Sequence, residues 1–297
     1  MKTTKILLAL TLSVVFFSCS KQDNDDNVNF SPDEAQVSSK IDASNDDISD
    51  IVEGQFEATA ANPTSGKSTE TTTVAATNLP TCVTVTRFPA FGTPIAPGTQ
   101  VTKILNFGTV GCPMLNGNVL RGIIEIKFTF NPNATTHVIN YEFINFYHNA
   151  IKFDGNKTFT RTMTAATAAS PSHPIVVMTM DMTATFPDGR VFTRVGTRTR
   201  EIIEGYNTPI IFLDNVYKIT GSWTTTRPNT SVQTSTITTP LRVKMACIIV
   251  NKPLIVAGVI SFERNNQIAT LDYGNGDCDN LAIFTFNGIS YNIVIGN

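Results

Sequence analysis

The chain is poor in the groups that usually announce chemistry. Trp223 is the only tryptophan, and His137, His148 and His173 are the only histidines in 297 residues. None of the three sits in a catalytic motif or at metal-ligand spacing, so each reads as an ordinary strand or loop residue. No GxSxG, P-loop or GxGxxG stands where a strand-turn-helix would use it, which removes the common hydrolase and nucleotide-binding readings. Charged residues make up only 15% of the chain, which suits neither long solvated helices nor disorder throughout. CxxC pairs are missing too, and a zinc site with them.

What is present begins with an address. Lys2 and Lys5 precede an apolar run, Ile6–Phe17, that is too short to span a bilayer, and Ser18-Cys19 follows. That order is a signal peptide over 1–18, and a cysteine at the cleavage point marks a bacterial lipoprotein acylated on Cys19. Phe16 and Phe17 stand where Leu and a small residue are commoner. A secreted protein with a coincidental cysteine is the bland alternative. Two or three acyl chains would hold the protein firmly to a membrane, where one would not.

The net charge of -2 hides an asymmetry. Residues 20–60 hold eleven acids against Lys21 and Lys40, a net -9, and residues 61–297 carry a net +5. An acidic arm thus precedes a mildly basic body, and an excess this thin over so long a body does not argue for nucleic acid. Within the arm Ile41, Ile48, Ile51, Val52 and Phe56 recur at helical spacing, so a short helix is expected inside Asp33–Glu57, with Gly54 weakening it. The remainder of 19–78 reads as tether.

Beyond Thr81 the period becomes two. Ile124, Ile126, Phe128 and Phe130 alternate with Glu125, Lys127 and Thr129, and Val176, Met178, Met180, Met182, Ala184 and Phe186 alternate with Val177, Thr179, Asp181, Thr183 and Thr185. Half-buried antiparallel strands carry this alternation, and the methionine row reads as core. Asn116-Gly117, Asp154-Gly155, Asp188-Gly189, Asn265-Asn266 and Asn287-Gly288 read as hairpin turns. A two-residue turn at Asp188-Gly189 sets Phe186 opposite Val191 and Met182 opposite Val195. One at Asn287-Gly288 sets Phe286 opposite Ile289 and Phe284 opposite Tyr291.

The sequence also echoes itself. Leu105-Asn106-Phe107-Gly108 leading to Cys112 aligns with Leu271-Asp272-Tyr273-Gly274 leading to Cys278, and Cys82 and Cys247 precede these cysteines by similar intervals. Four cysteines beyond Cys19 imply two disulfides in an oxidising compartment, with three connectivities open. The repeat selects Cys82–Cys112 and Cys247–Cys278.

Three clusters could carry a site. Arg190, Arg194, Arg198 and Arg200 share one face of a strand, with Thr179, Asp181 and Thr183 across from them by the register above. That face reads as solvated with cross-strand charge pairs, or as a basic binding face for an acidic glycan or a partner protein. Asp272, Asp277 and Asp279 give an oxygen-rich loop that suits calcium or simply a tight turn, and it lacks the order of an EF-hand. Glu201 and Glu204 could pair as glycosidase carboxyls only across a cleft; ion-paired surface acids are the plainer reading. No catalytic residue and no metal ligand set is assigned.

Taken together, Cys82-Val83-Thr84-Val85, Asn106-Phe107-Gly108, Gly111-Cys112, Thr199-Arg200-Glu201 with Gly205, and Leu271-Asp272-Tyr273-Gly274 leading to Cys278-Asp279 resemble a group of Bacteroidota surface lipoproteins of uncharacterised function. The acidic stretch Ser20–Asp26 likewise looks like the tag that sends such lipoproteins to the outer face of the outer membrane. The resemblance covers roughly Thr81 onward plus the lipoprotein head, and it implies an address rather than an activity. The expectation is an all-β domain over 79–297, a mostly antiparallel meander or sandwich with pseudo-repeated halves, divisible into lobes at about 79–185 and 186–297. A short helix and flexible acidic tether precede it. The expected role is non-catalytic binding or structure at the envelope, with a glycan or an envelope protein as partner and no cofactor. A surface carbohydrate-active hydrolase and an accessory subunit of an outer-membrane uptake system are the alternatives.

Overall fold

The computed structural model describes residues 29–63, 79–168, 170–208 and 211–296. Cys19 and the signal peptide lie outside them. Helix α1 (Pro32–Ala61) starts where the sequence supplies a cap: Ser31 Oγ accepts from Glu34 N, Pro32 opens the first turn, and Asp33 and Glu34 face the positive end of the helix dipole. It runs for 30 residues, straight through Gly54. The expected short helix is therefore the longest helical element described.

The fourteen strands described are β1 (Thr84–Phe88), β2 (Thr99–Asn106), β3 (Cys112–Pro113), β4 (Val119–Phe130), β5 (Thr136–His148), β6 (Ile151–Met163), β7 (Pro174–Thr185), β8 (Val191–Glu204), β9 (Val216–Thr226), β10 (Val232–Lys244), β11 (Ile255–Arg264), β12 (Gln267–Asn275), β13 (Leu281–Phe286) and β14 (Ile289–Val294). They form one antiparallel meander in which each strand lies beside its neighbours in sequence, except that β3 pairs only with β4. The sheet crosses the expected lobe boundary without a break, since β7 pairs β8 from Ile175↔Glu201 to Thr185↔Val191.

This sheet is rolled around α1. Lys103 of β2, Phe128 of β4, His148 of β5, Lys157 of β6, Met178 of β7, Arg194 of β8, Arg264 of β11 and Val294 of β14 all reach the helix. Between Glu34 and Thr59 no residue of α1 is exposed. Ile41, Ile48, Val52 and Phe56 fill the apolar part of the lumen, and the predicted inward rows of β4 and β7 meet them. Register shifts let the sheet bend this sharply. One falls between Arg121 and Ile123 of β4, where Gly122 has φ +88° and a Cβ would lie 2.1 Å from the Asn145 carbonyl oxygen.

Turn chemistry decides the details. Asn265-Asn266 and Asn287-Gly288 each join two strands with both central residues at positive φ, and the second sets Phe286↔Ile289 and Phe284↔Tyr291, as its sequence predicts. Asn116-Gly117 lies in the β3–β4 turn. Asp154-Gly155 lies within β6, and the turn before it is Asn149-Ala150, with His148↔Ile151 closing it. At Asp188-Gly189 the loop has three residues, closed by Phe186 N donating to Arg190 O. That one extra residue slips the register from the expected Met182↔Val195 to Met182↔Arg194, and a slip of one exchanges the two faces of a strand.

Two disulfides, Cys82–Cys112 and Cys247–Cys278, close at Cα separations of 5.8 and 5.3 Å. The internal echo has a structural counterpart beside them. Leu105 and Leu271 are fully buried, and Asn106 Oδ1 and Asp272 Oδ1 each accept from the N–H of Gly108 and Gly274 at 2.9 Å.

Candidate functional site

The register slip turns the arginine row of β8 inward. Arg194 and Arg198 are 2% exposed and Arg200 is 6%. The expected solvent-side binding face is thus a wall of the lumen, with only Arg190, at the turn, partly outside. On the opposite face of β8, Val191 and Val195 point to solvent. The strand is inside-out by hydrophobicity because the element it packs against is acidic.

Every acid of α1 meets a basic side chain of the roll. Asp33 bonds Arg190 at 2.6 Å, and Glu34 engages Arg227 and Arg264. Asp42 is shared by Arg194, at 2.6 Å, and Arg198, while Asp46 lies 3.8 Å from Arg198. Asp47 holds His148 at 2.8 Å, Asp50 and Glu53 both hold Arg200, and Glu57 holds Arg161 at 3.0 Å.

Two buried lysines are also housed by the helix. Lys103 Nζ donates to Gln55 O and Thr59 Oγ1 at 3.1 and 3.2 Å, and Lys157 Nζ donates to Asn45 Oδ1. The sole tryptophan is a wedge in this ladder. Trp223 is buried, with Arg198 over its ring at 4.1 Å and Arg194 at 5.4 Å. It fits because Gly196 stands opposite: a Cβ there would fall 2.4 Å from Trp223 Cα.

Burial shifts the titration of the ladder. Desolvation pushes Asp46 up to about 7 against the pull of Arg198 and Arg200, and pushes Asp50 up to about 6 against Arg200. Glu53 rises to about 7 for the same reason. Lys157 falls to about 7, by burial first and then by the nearby Arg198 charge.

His148 has the look of a catalytic base. Its Nε2 lies 2.8 Å from Asp47 Oδ2 and its Nδ1 3.0 Å from Ser44 Oγ. The surroundings make it a clasp instead. Ser44 has one proton, and the Lys40 carbonyl at 2.8 Å competes for it. The amides that could steady an oxyanion are spent, because Asn116 and Asn118 donate to Asp47, and Asn149 donates to Asn118. The network pins α1 to the β5 end.

Beside the C-terminal half of α1 the roll does not close tightly. A cavity of about 760 Å³ opens between the helix, the β4–β5 turn, and the ends of β6 to β9. Phe56, Phe130, Met163, Val176, Ile202 and Phe212 give it apolar walls. Its charged side chains are Asp50, Glu53 and Glu57 from α1 and Arg161 and Arg200 from the sheet, and His137, Tyr206, Tyr217, Asn131, Asn215 and Ser172 also line it. His137 is held below the usual imidazole range by desolvation and the Arg161 charge.

The other predicted residues are not part of it. Glu201 faces Lys218 at 2.5 Å and His173 at 3.2 Å, and Glu204 bonds Arg242 at 2.6 Å. These are ion pairs outside the lumen. Asp272 and Asp279 cap the backbone N–H groups of Gly274 and Leu281, and among the described residues no group of His, Cys, Asp or Glu could hold a metal ion. No protein-family model, curated protein or solved structure matches the chain.

Proposed function

We propose that this chain is a lipid-anchored protein of a bacterial cell envelope, attached through Cys19, whose rolled domain binds a small and largely apolar molecule in the cavity beside α1. The address rests on the signal peptide, on Cys19, and on the resemblance to Bacteroidota lipoproteins that places such proteins at the outer membrane facing outward. The observation that carries the binding role is the cavity itself. At about 760 Å³ it lies within the range of small-molecule sites, with mostly apolar walls and a few convergent polar groups.

The arrangement supports binding over glycoside hydrolysis. Asp50, Glu53 and Glu57 lie side by side on one helix rather than opposed across a cleft, and Arg200 and Arg161 hold them. The test is titration of the full mature chain with N-phenyl-1-naphthylamine, which fluoresces in apolar surroundings. Saturable one-to-one binding, weakened by Ala60→Trp at the exposed rim, is the expected result. No saturable signal would remove the reading. Mass spectrometry of the envelope-derived protein tests the address by finding, or failing to find, diacylglycerol on Cys19.

A further inference from the structure

Resting on the lipid anchor at Cys19 and independent of the cavity, we propose that the roll stands end-on upon a neutral lipid surface. The first turn of α1 points toward the membrane, and a ring of four aliphatic side chains, Val191, Val232, Ile268 and Ile289, sits at the headgroup–acyl boundary.

The ring comes from the topology. Four successive hairpins turn at the end of the roll where α1 begins, and each is tied to the residues that open the helix. Arg190, in the β7–β8 turn, bonds Asp33; Arg227, after β9, and Arg264, at the end of β11, both engage Glu34; Phe286 of β13 meets Phe30 edge-on at 5.3 Å. In each hairpin the returning strand places an aliphatic residue at or next to its start: Val191 in β8, Val232 in β10, Ile268 in β12 and Ile289 in β14. All four lie between 40% and 61% exposed. A single exposed aliphatic needs no explanation, but one per hairpin, all at the level of the first helical turn, makes a ring. On three of the strands the next residues along the same outer face are Thr193, Thr234 and Thr270, so the apolar row stops where the ring does.

The chain enters at the same place. The Asn29 carbonyl accepts from Arg264 Nη2, and Cys19 stands ten residues earlier, a separation of at most about 33–36 Å. The anchor therefore draws this end of the roll to the lipid, and the cavity at Phe56 and Glu57 lies about 35 Å of helix farther on.

Charge selects the lipid. On these turns and the first helical turn, Asp33, Glu34, Asp188 and Glu263 stand against Arg190, Arg227 and Arg264. No basic surplus is present to hold an anionic surface, so the contact rests on apolar area and does not depend on salt.

The experiment couples the mature chain to phosphatidylcholine vesicles through the Cys19 thiol, the one cysteine outside the two disulfides, by way of a maleimide-bearing lipid. Anchoring is then fixed by chemistry, so a cell that does not acylate Cys19, which mass spectrometry reports separately, cannot imitate a failure of seating. Ile268→Trp is the reporter in the ring. Val138→Trp is the control, at an exposed position of β5 next to His137, which packs on Phe56 near the far end of α1. Trp223 is buried and supplies a constant background. In vesicles with brominated acyl chains, Ile268→Trp is expected to shift blue and lose fluorescence on coupling, while Val138→Trp is unchanged. The loss persists at high salt. It disappears when Val232→Asp and Ile289→Asp are added, at positions exposed enough to leave the far-ultraviolet dichroism unaltered. If neither new tryptophan is quenched, or both are quenched alike, the end-on seat is refuted. Quenching that salt abolishes would refute the apolar contact, and quenching that survives the two aspartates would refute the ring. A blue shift of Ile268→Trp without quenching would assign the ring to a second copy of the chain and overturn the lipid reading.

Discussion

Asp42→Ala removes the one carboxylate that Arg194 and Arg198 share, and leaves two guanidiniums facing each other at 2% exposure. Two unit charges about 4 Å apart interact by ~4 kcal/mol at the effective dielectric that suits protein sites. The loss is cushioned, because Arg198 keeps Asp46 at 3.8 Å and Arg194 keeps Ser38 Oγ at 2.8 Å. The expected cost is therefore that of breaking one buried pair, about 3–5 kcal/mol. At ~2–4 °C per kcal/mol for a domain near this size, the melting temperature falls by roughly 6–20 °C. Asp42→Leu combined with Arg194→Met and Arg198→Met should recover part of that loss, since apolar replacement of a buried ion cluster is often neutral or better, while Asp46 gives up Arg198 as its partner. Urea unfolding followed by Trp223 fluorescence is the assay. Trp223 lies under the two arginines, so the signal reports the ladder itself. Asp33→Ala, at an exposed pair, is the control and should change little. A cost below about 1 kcal/mol for Asp42→Ala, or a triple variant as weak as the single, refutes the view that the ladder is a desolvated unit.

Three further outcomes follow from the same structure. The raised Asp46, Asp50 and Glu53 bind protons in the folded state that the unfolded state gives up above about pH 4, so stability falls as pH rises from there to about 7. The lowered Lys157 works the other way above pH 7, where the unfolded chain holds the extra proton. Thermal melts from pH 4.5 to 9 should therefore show a minimum near pH 7, and a maximum there would contradict the shifts. Removing Cys82–Cys112 by a double Cys→Ser change should cost roughly 3–4 kcal/mol for a loop of this length, read by denaturation in oxidising buffer. A fragment of residues 79–297 leaves Lys103, Lys157, Arg194, Arg198 and Arg200 around an empty lumen, so it should bind a hydrophobic dye, and should recover native near-ultraviolet dichroism when a peptide of residues 29–63 is added. A fragment that is native alone would show the helix to be dispensable.

The strand alternation made the sheet legible, because β4 and β7 bury one apolar face each and period two follows directly. The disulfides were legible through the repeat around Leu105 and Leu271. The ladder was not, for two physical reasons. Asp-Gly accepts a two-residue or a three-residue turn, and nothing local at Asp188-Gly189 chooses between them, yet the choice decides which face of β8 is inside. The acids of α1 were read as a solvated arm, since a buried acid is rare without a partner and the partners lay some 150 residues away. A signal was present in the pattern of Asp42, Asp46 and Asp50 every fourth residue, set against Arg194 and Arg198 four apart on a strand. The charge asymmetry between arm and body is the same fact seen in composition: the arm fills the body. The cavity had no sequence signature, since it arises where the roll splays from the last turns of the helix.

Among the described residues, the element nearest the N-terminus is also the one around which the sheet is wound. Any tension applied through that terminus acts on the axle of the molecule, not on a trailing cord. Sliding α1 by four residues, about 6 Å, would set Ile51 at His148 and Gly54 at Arg200 in place of Asp47 and Asp50, so α1 cannot be drawn out stepwise and must give up its buried ion pairs together.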